Sequence, residues 1–244
     1  MKLEPQALSD FTAHVLQEHP REACGFIVDG NYIPVPNSSQ TPLVSFRVDP
    51  IHYIKTAALG EIQALLHSHP YLPGTHSQWP MEWPSTGDME TWLKGTIPWG
   101  ICASDGEGIT QLVWLDEEHP EPLIGREFVH GINDCFSIIR DWYKINRSTV
   151  IPNYARGMDW WFSGKNLYED NFEKAGFVEI DRSDIQIGDV VLIRVAAPVV
   201  NHAAIVTGEN EITHHLHKRL SGVDSLAKWN KTIVRAVRFK GPQC

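Results

Sequence analysis

The chain has 244 residues, 42% hydrophobic and 21% charged, which allows one large soluble globular domain or two of roughly 100–120 residues, each with its own core. The formal net charge of −9 argues against a nucleic-acid-binding surface, which normally carries a basic excess; the local basic clusters, such as His217-Lys218-Arg219, are short. Four cysteines, Cys24, Cys102, Cys135 and Cys244, form no CxxC pair, so a thioredoxin motif, a zinc ribbon and a secreted disulfide framework are disfavoured. The Met-Lys-Leu-Glu-Pro start lacks the apolar core of a signal peptide, and no apolar run reaches the roughly 18 residues of a membrane span. The expectation is a chain made and folded in a cytosol.

In chain order, Leu8, Phe11, Val15 and Leu16 recur at helical spacing and predict a helix over 5–18. Cys24-Gly25-Phe26-Ile27-Val28 reads as a strand closed by Asp29-Gly30, a strong hairpin signal. Val44, Phe46 and Val48 alternate with polar residues and predict another strand; 51–58 looks helical. Ile62, Ala64 and Leu66 alternate into His67-Ser68-His69-Pro70. The stretch 71–85 is rich in Pro, Gly and Ser and reads as a long loop, commonly a functional feature in a compact domain. Strands are expected near 98–103 and 109–114. The polar, acidic segment 116–122 is the best linker candidate. After it, Cys135, Ile138, Ile139 and Trp142 mark one helical face. Residues 153–175, rich in aromatics, are expected as helix and loop, followed by strands near 189–194, 202–207 and 232–239.

Asp134-Cys135 stands at the start of the apolar-periodic helix, where the helix dipole and unpaired N–H groups favour thiolate. A cysteine nucleophile needs a base, normally His, oriented by a third polar group. His202 opens the apolar run 203–206, and His214 follows after Thr207-Gly208-Glu209-Asn210, which looks like a turn. Two paired strands would bring the two imidazoles together. A lone Cys at a helix start is usually only a packed small residue; the ordered Cys, His, His set is much rarer by chance.

These residues resemble the NlpC-type cysteine peptidases. Asn133-Asp134-Cys135 looks like their nucleophile site, Ile187-Gly188-Asp189-Val190-Val191-Leu192 and His202-Ala203-Ala204-Ile205-Val206 like their core strands. The resemblance covers about 125–240. It implies Cys135 as nucleophile, His202 as base, His214 as the residue that orients it, a papain-like fold, and cleavage of amide bonds in peptidoglycan stem peptides. Phe136 stands where the family usually has Ser, and no tyrosine is evident before the Cys; Phe128 and His130 lie nearby. The segments 153–161 and 171–177 look like a subgroup found in phage tail proteins, with aromatics that line a groove or fill the core.

The N-terminal half carries a second constellation. His67 and His69, two apart in an extended segment, point to one side and can reach one metal; Asp88 can be the third ligand and Glu22 a base. Singly these signals are weak, and Ser85 with Asp88 also reads as a capping box. Together, Arg21-Glu22-Ala23-Cys24-Gly25, His67-Ser68-His69-Pro70, Pro84-Ser85-Thr86-Gly87-Asp88 and Trp99-Gly100-Ile101 resemble the JAMM family of zinc isopeptidases over about 1–115. That resemblance implies zinc held by His67, His69 and Asp88, Glu22 as general acid/base and Ser85 as oxyanion helper. Ser77 stands at the family's usual distance from the second His, but Pro80 then falls at the Asp position. Ser85 and Asp88 require an insertion of about eight residues, which a surface loop accepts at little cost.

The expected fold class is α+β in two domains: a JAMM-like mixed α/β domain at 1–116, a linker at 117–126, and a papain-like NlpC-type domain with an antiparallel sheet at 127–244. That order resembles phage tail tip assembly proteins. It implies amide hydrolysis in a tail component made in the host cytoplasm, a place at the virion tail tip, other tail tip or hub proteins as partners, and peptidoglycan or peptide as substrate. A structural adaptor with one or both sites vestigial is the alternative.

Overall fold

A computed structural model describes residues 1–72, 74, 79–116 and 121–241. Ser77 and the linker residues 117–120 lie outside these. The chain forms two compact units, Met1–His119 and Pro120–Cys244.

The first unit contains α1 (Pro5–Glu18), β1 (Cys24–Val28), β2 (Asn31–Val35), α2 (Pro50–Ala57), β3 (Ile62–Pro70), α3 (Thr86–Trp92), β4 (Trp99–Ser104) and β5 (Val113–Leu115). The apolar stripe of α1 buries Ala7, Phe11 and Val15 against Ile27, Tyr32, Ala64 and Leu66. Asp29 and Gly30 take positive φ, 46° and 81°, between the paired Val28 and Asn31. Two left-handed residues match the right-handed twist of the strands, so the turn closes tightly. The sheet runs β2-β1-β3-β4-β5; β3 and β4 are parallel and the other pairs antiparallel. A parallel pair needs a crossover, and the 71–98 segment with α3 supplies it.

Two local expectations differ. The alternation of Val44, Phe46 and Val48 does not make a strand. The segment is tied to side chains instead: Arg47 N donates to Asn37 Oδ1 at 3.1 Å, and Asn37 Nδ2 donates to Ser45 O at 3.1 Å. Residues 109–112 also stay outside β5: Ala103 N bonds the Thr110 hydroxyl, and Ser104 and Ile109 form an isolated bridge.

The second unit contains α4 (Cys135–Arg147), α5 (Leu167–Asn171), β6 (Phe177–Ile180), β7 (Val190–Ile193), β8 (His202–Gly208), β9 (Glu211–His214), β10 (Gly222–Ser225), α6 (Leu226–Trp229) and β11 (Ile233–Phe239). Its sheet, β10-β9-β8-β7-β11-β6, is antiparallel throughout. One face carries Val190, Leu192, Ala203, Ile205 and Val237, and α4 packs there through Ile138, Ile139 and Trp142. The other face carries Val191, Ile193, Ala204, Val206 and Ile212 beneath α6. Strands buried on both faces explain the continuous apolar runs at 190–193 and 203–206. Gly125 and Arg126, at the end of the expected linker, are bonded to Ser221 within this unit.

A cysteine–histidine site in one unit and a three-donor cluster in the other

The N-terminus of α4 is set by Asp134, which accepts from the backbone N–H of both Phe136 and Ser137 at 3.0 Å. This N-cap satisfies donors that the first turn leaves free. The carboxylate is buried and pairs with the buried Arg156, whose Nε donates at 2.7 Å and Nη2 at 3.0 Å. Burial alone would raise the Asp134 carboxyl; the guanidinium overrides it and holds the group far below the usual carboxylate range. Arg156 also lies over the Phe136 ring, 5.2 Å from its centroid.

Cys135 follows directly, and α4 lies against β8 and β9. The backbone amide of Ala203, the residue after His202, is close enough to the sulfur to favour its charged form. The Tyr168 hydroxyl lies 3.2 Å from Sγ. His202 Nε2 is 2.9 Å from His214 Nδ1, and His214 Nε2 is 3.3 Å from Asp224 Oδ2. The Trp229 ring packs against both imidazoles, with centroids 5.8 Å and 5.0 Å away, and its indole Nε1 donates to Asp224 at 3.1 Å.

The electrostatics differ from the thiolate expected at a helix start. Burial, followed by the Asp134 charge, pushes the Cys135 thiol up to about 11. Burial, followed by the neighbouring His214, brings His202 down to about 3. The resting pair is therefore neutral thiol and neutral imidazole at pH 7. The helix dipole adds a partial charge at best, and partial desolvation of a thiolate beside a carboxylate outweighs it. The nearby residues Phe128 and His130 are engaged elsewhere. Phe128 packs edge-on against His215 and His217, and His130 Nε2 bonds the Gly157 carbonyl at 3.0 Å. The phenol that reaches the sulfur comes from α5. Tyr168, Arg156, Asp224 and Trp229 were not singled out by sequence reasoning as site residues. Only Arg156 had a signal, the aromatic segment that surrounds it.

In the first unit, β3 turns His67 and His69 to one face while Ser68 Oγ, on the other, accepts from Ala23 N at 3.0 Å. Ser68 N donates to Ala23 O, so the β1–β3 register places Glu22 beside His69. The two Nε2 atoms are 3.2 Å apart, and each is 3.3 Å from an Asp88 oxygen. All three residues are buried, and one ligand atom from each lies within 4.8 Å of the others. His69 Nδ1 donates to Met81 O at 2.6 Å, so in the neutral ring the lone pair is on Nε2, the nitrogen that faces His67 and Asp88. Tetrahedral ligands at about 2.0–2.1 Å from a zinc ion lie roughly 3.3 Å from one another, so these donors fit such an ion. Burial pushes the Glu22 carboxyl up to about 7, and Glu22, His69, Ser85 and Asp88 share a cleft of about 1210 Å³ with Phe46 and Trp99. Ser85 caps α3: its hydroxyl accepts from Asp88 N at 3.2 Å and its own N–H donates to Asp88 Oδ2 at 2.7 Å. The capping box and the histidine cluster thus use the same carboxylate.

Residues 125–238 match the NlpC/P60 family. Tail tip assembly protein K of Escherichia phage lambda is 33% identical over 186 residues, 75% of this chain and 85% of that protein. The chain belongs to the tail tip assembly protein K family. The family member from Escherichia phage N15 is 29% identical over 245 residues, 98% of this chain and 96% of its own. A probable TtuB-protein conjugate cleaving protease of Thermus thermophilus is 29% identical over 108 residues, 41% of this chain and 67% of that one. In this K-family chain, then, Cys135, His202 and His214 all fall inside an NlpC/P60 domain, and His67, His69 and Asp88 fall before it.

Two measurements follow from the second unit. Arg156→Met leaves Asp134 buried with its counter-charge removed and should cost about 3–5 kcal/mol. Because the folded Asp134 carboxyl is depressed, its contribution is present above its usual value of 3.8 and lost as pH falls below it. Chemical denaturation of both proteins should show the gap at pH 7 and a smaller gap near pH 3. For Cys135, the rate of iodoacetamide alkylation, read on its own peptide by mass spectrometry, should climb with pH toward about 11. A plateau beginning below pH 6 would instead reveal a thiolate–imidazolium pair.

Proposed function

We propose that this tail tip assembly protein is an amide hydrolase whose NlpC/P60 domain cleaves peptidoglycan stem peptides through Cys135, His202 and His214. The observation that carries this reading is the His202–His214 pair on β8 and β9, the two strands against which α4, begun by Cys135, packs. His202 Nε2 is engaged by His214, which leaves Nδ1 as the nitrogen free to act as base. Burial keeps His202 neutral and so able to accept a proton at pH 7. In the reaction His202 takes the Cys135 proton as the sulfur attacks the amide carbonyl, then returns it to the leaving amine. Water, deprotonated by the same imidazole, releases the acyl group from sulfur. A neutral resting pair requires that proton transfer accompany attack. It also spares the buried site an unpaired charge between turnovers.

The N-terminal domain, assigned to 1–116 and joined by the 117–126 linker to a papain-like domain at 127–244, is proposed to be a zinc peptidase of the JAMM kind. His67, His69 and Asp88 would hold the ion. Zinc there would supply Lewis-acid activation of water and of an amide carbonyl. Glu22, buried beside His69, would take the proton from the attacking water and pass it to the leaving amine. Ser85 would offer its hydroxyl to the developing oxyanion. The Thermus relative, by its description a conjugate-cleaving protease, supports an isopeptide-like substrate. Tail tip or hub proteins are the proposed partners, assembled in the host cytoplasm and placed at the virion tail tip. A structural adaptor role is the second reading, favoured by the elevated Cys135 thiol.

Incubation with defined muropeptides and mass spectrometry of the products tests the first site. Wild type should release cleaved stem peptides and Cys135→Ala none; full activity in the variant, or no cleavage by wild type, sinks the cysteine mechanism and favours the adaptor. For the second site, elemental analysis should find about one zinc per chain, lost in His67→Ala with the fold retained by circular dichroism. Metal-free wild type of normal stability would refute the zinc assignment.

A further inference from the structure

Asp224 extends the histidine pair by one more group. It lies on β10, whose Val223 and Asp224 pair with Thr213 and Ile212 of β9, so its carboxylate reaches the outer nitrogen of His214. The same carboxylate is held from behind. Lys228 Nζ contacts its two oxygens at 3.1 and 3.0 Å, and Trp229 Nε1 donates to Oδ2. These three residues sit at i, i+4 and i+5 across the β10–α6 junction, so a single short segment both presents the acid and fixes its rotamer.

The direction of every hydrogen bond in the row is then determined. A carboxylate only accepts, so His214 Nε2 must carry the hydrogen that faces Asp224. A neutral imidazole has one N–H, so His214 Nδ1 is a bare lone pair and accepts. His202 Nε2, 2.9 Å away, must donate to it. That leaves His202 Nδ1 without a hydrogen, the state a general base requires. We propose that Asp224 is a positioning residue that sets the tautomers of His214 and, through it, of His202, holding Nδ1 of His202 ready to receive the Cys135 proton. When His202 is protonated in mid-reaction, its Nε2–H already points at an acceptor, so the new cation is stabilised without rearrangement. The inference that the tautomer matters for catalysis rests on the cysteine hydrolase reading above; the tautomer itself does not.

Burial keeps both imidazoles neutral near pH 7, the condition under which tautomer is a meaningful variable. Asp224 stays ionised there: it is partly buried, but Lys228 and Trp229 hold it below the usual carboxylate range. Arg219, the other cation near His214, acts in the same sense as Lys228 and disfavours a second proton on the ring.

Long-range 15N–1H spectra of the full chain at pH 7 test this directly, because the two-bond couplings assign each ring's tautomer. Wild type should show Nε2–H on both His202 and His214. Nδ1–H on either ring would overturn the proposal, and this measurement needs no variant. Asp224→Ala removes the acceptor from an edge strand while leaving the His rings and Trp229 in place. It should give mixed tautomers on His214 and lower kcat for muropeptide cleavage about tenfold or more with KM unchanged; Asp224→Glu should recover part of both. Unchanged tautomers and unchanged kcat in Asp224→Ala would refute the role. If wild type cleaves nothing while the tautomers are as expected and shift in the variant, the positioning role stands and the hydrolase reading falls.

Discussion

The buried ion pair between Asp134 and Arg156 is the constraint on which the second unit turns. Two charges taken out of water cost several kcal/mol each unless every hydrogen-bonding position is used. Here Asp134 accepts from Arg156, from the amides of Gly131, Phe136 and Ser137, and from the Ser137 hydroxyl. Arg156 in turn donates to the Gly131 and Tyr154 carbonyls and to the Asn153 side chain. One interaction therefore fastens the loop before α4, the first turn of α4 and the 153–156 segment to each other. Cys135 is the next residue after the cap. Its position is inherited from a network too expensive to rearrange.

The same network explains the resting state of the nucleophile. A carboxylate one residue away and desolvation of the half-buried thiol both oppose a thiolate, and they prevail over the helix start. The reactive form is reached only when a neighbouring base removes the proton. The imidazoles and the acid beyond them are lined up on β8, β9 and β10, three consecutive strands whose antiparallel pairing sets their spacing. The helix holds the sulfur and the sheet holds the base. Buried Ile138 and Ile139 of α4, packed on Ala203 and Ile205 of β8, keep the two in register.

In the first unit one carboxylate serves two masters. Asp88 closes a capping box with Ser85 and also faces the two β3 imidazoles. The backbone requirement of α3 and the donor geometry of the cluster thus fix the same rotamer, and the capping interpretation and the metal interpretation are compatible. His67 is fully buried between Phe46 and Trp99, so its ring plane is held by packing. Donors held rigidly in place by their neighbours suit a bound ion.

By itself the sequence determined the elements whose signals are local. The α1 and α4 stripes, the Asp29-Gly30 turn and the apolar runs of β7 and β8 are written in periodicity and turn chemistry, because side-chain spacing alone decides which face is buried. The same holds for the pairing of His67 with His69, since two residues apart on a strand share a face. The alternating Val44, Phe46 and Val48 misled for the complementary reason: alternation says which side chains face inward, but not whether a neighbouring strand exists to bond. Only the tertiary structure decided what meets across distance. Tyr168 reaches Cys135 from 33 positions away, Arg156 reaches Asp134 from 22, and Asp224 joins His214 through strand pairing. No local pattern encodes these contacts. The charge state of Cys135 belongs to the same class, because desolvation depends on everything packed around the sulfur and not on the helix that begins with it.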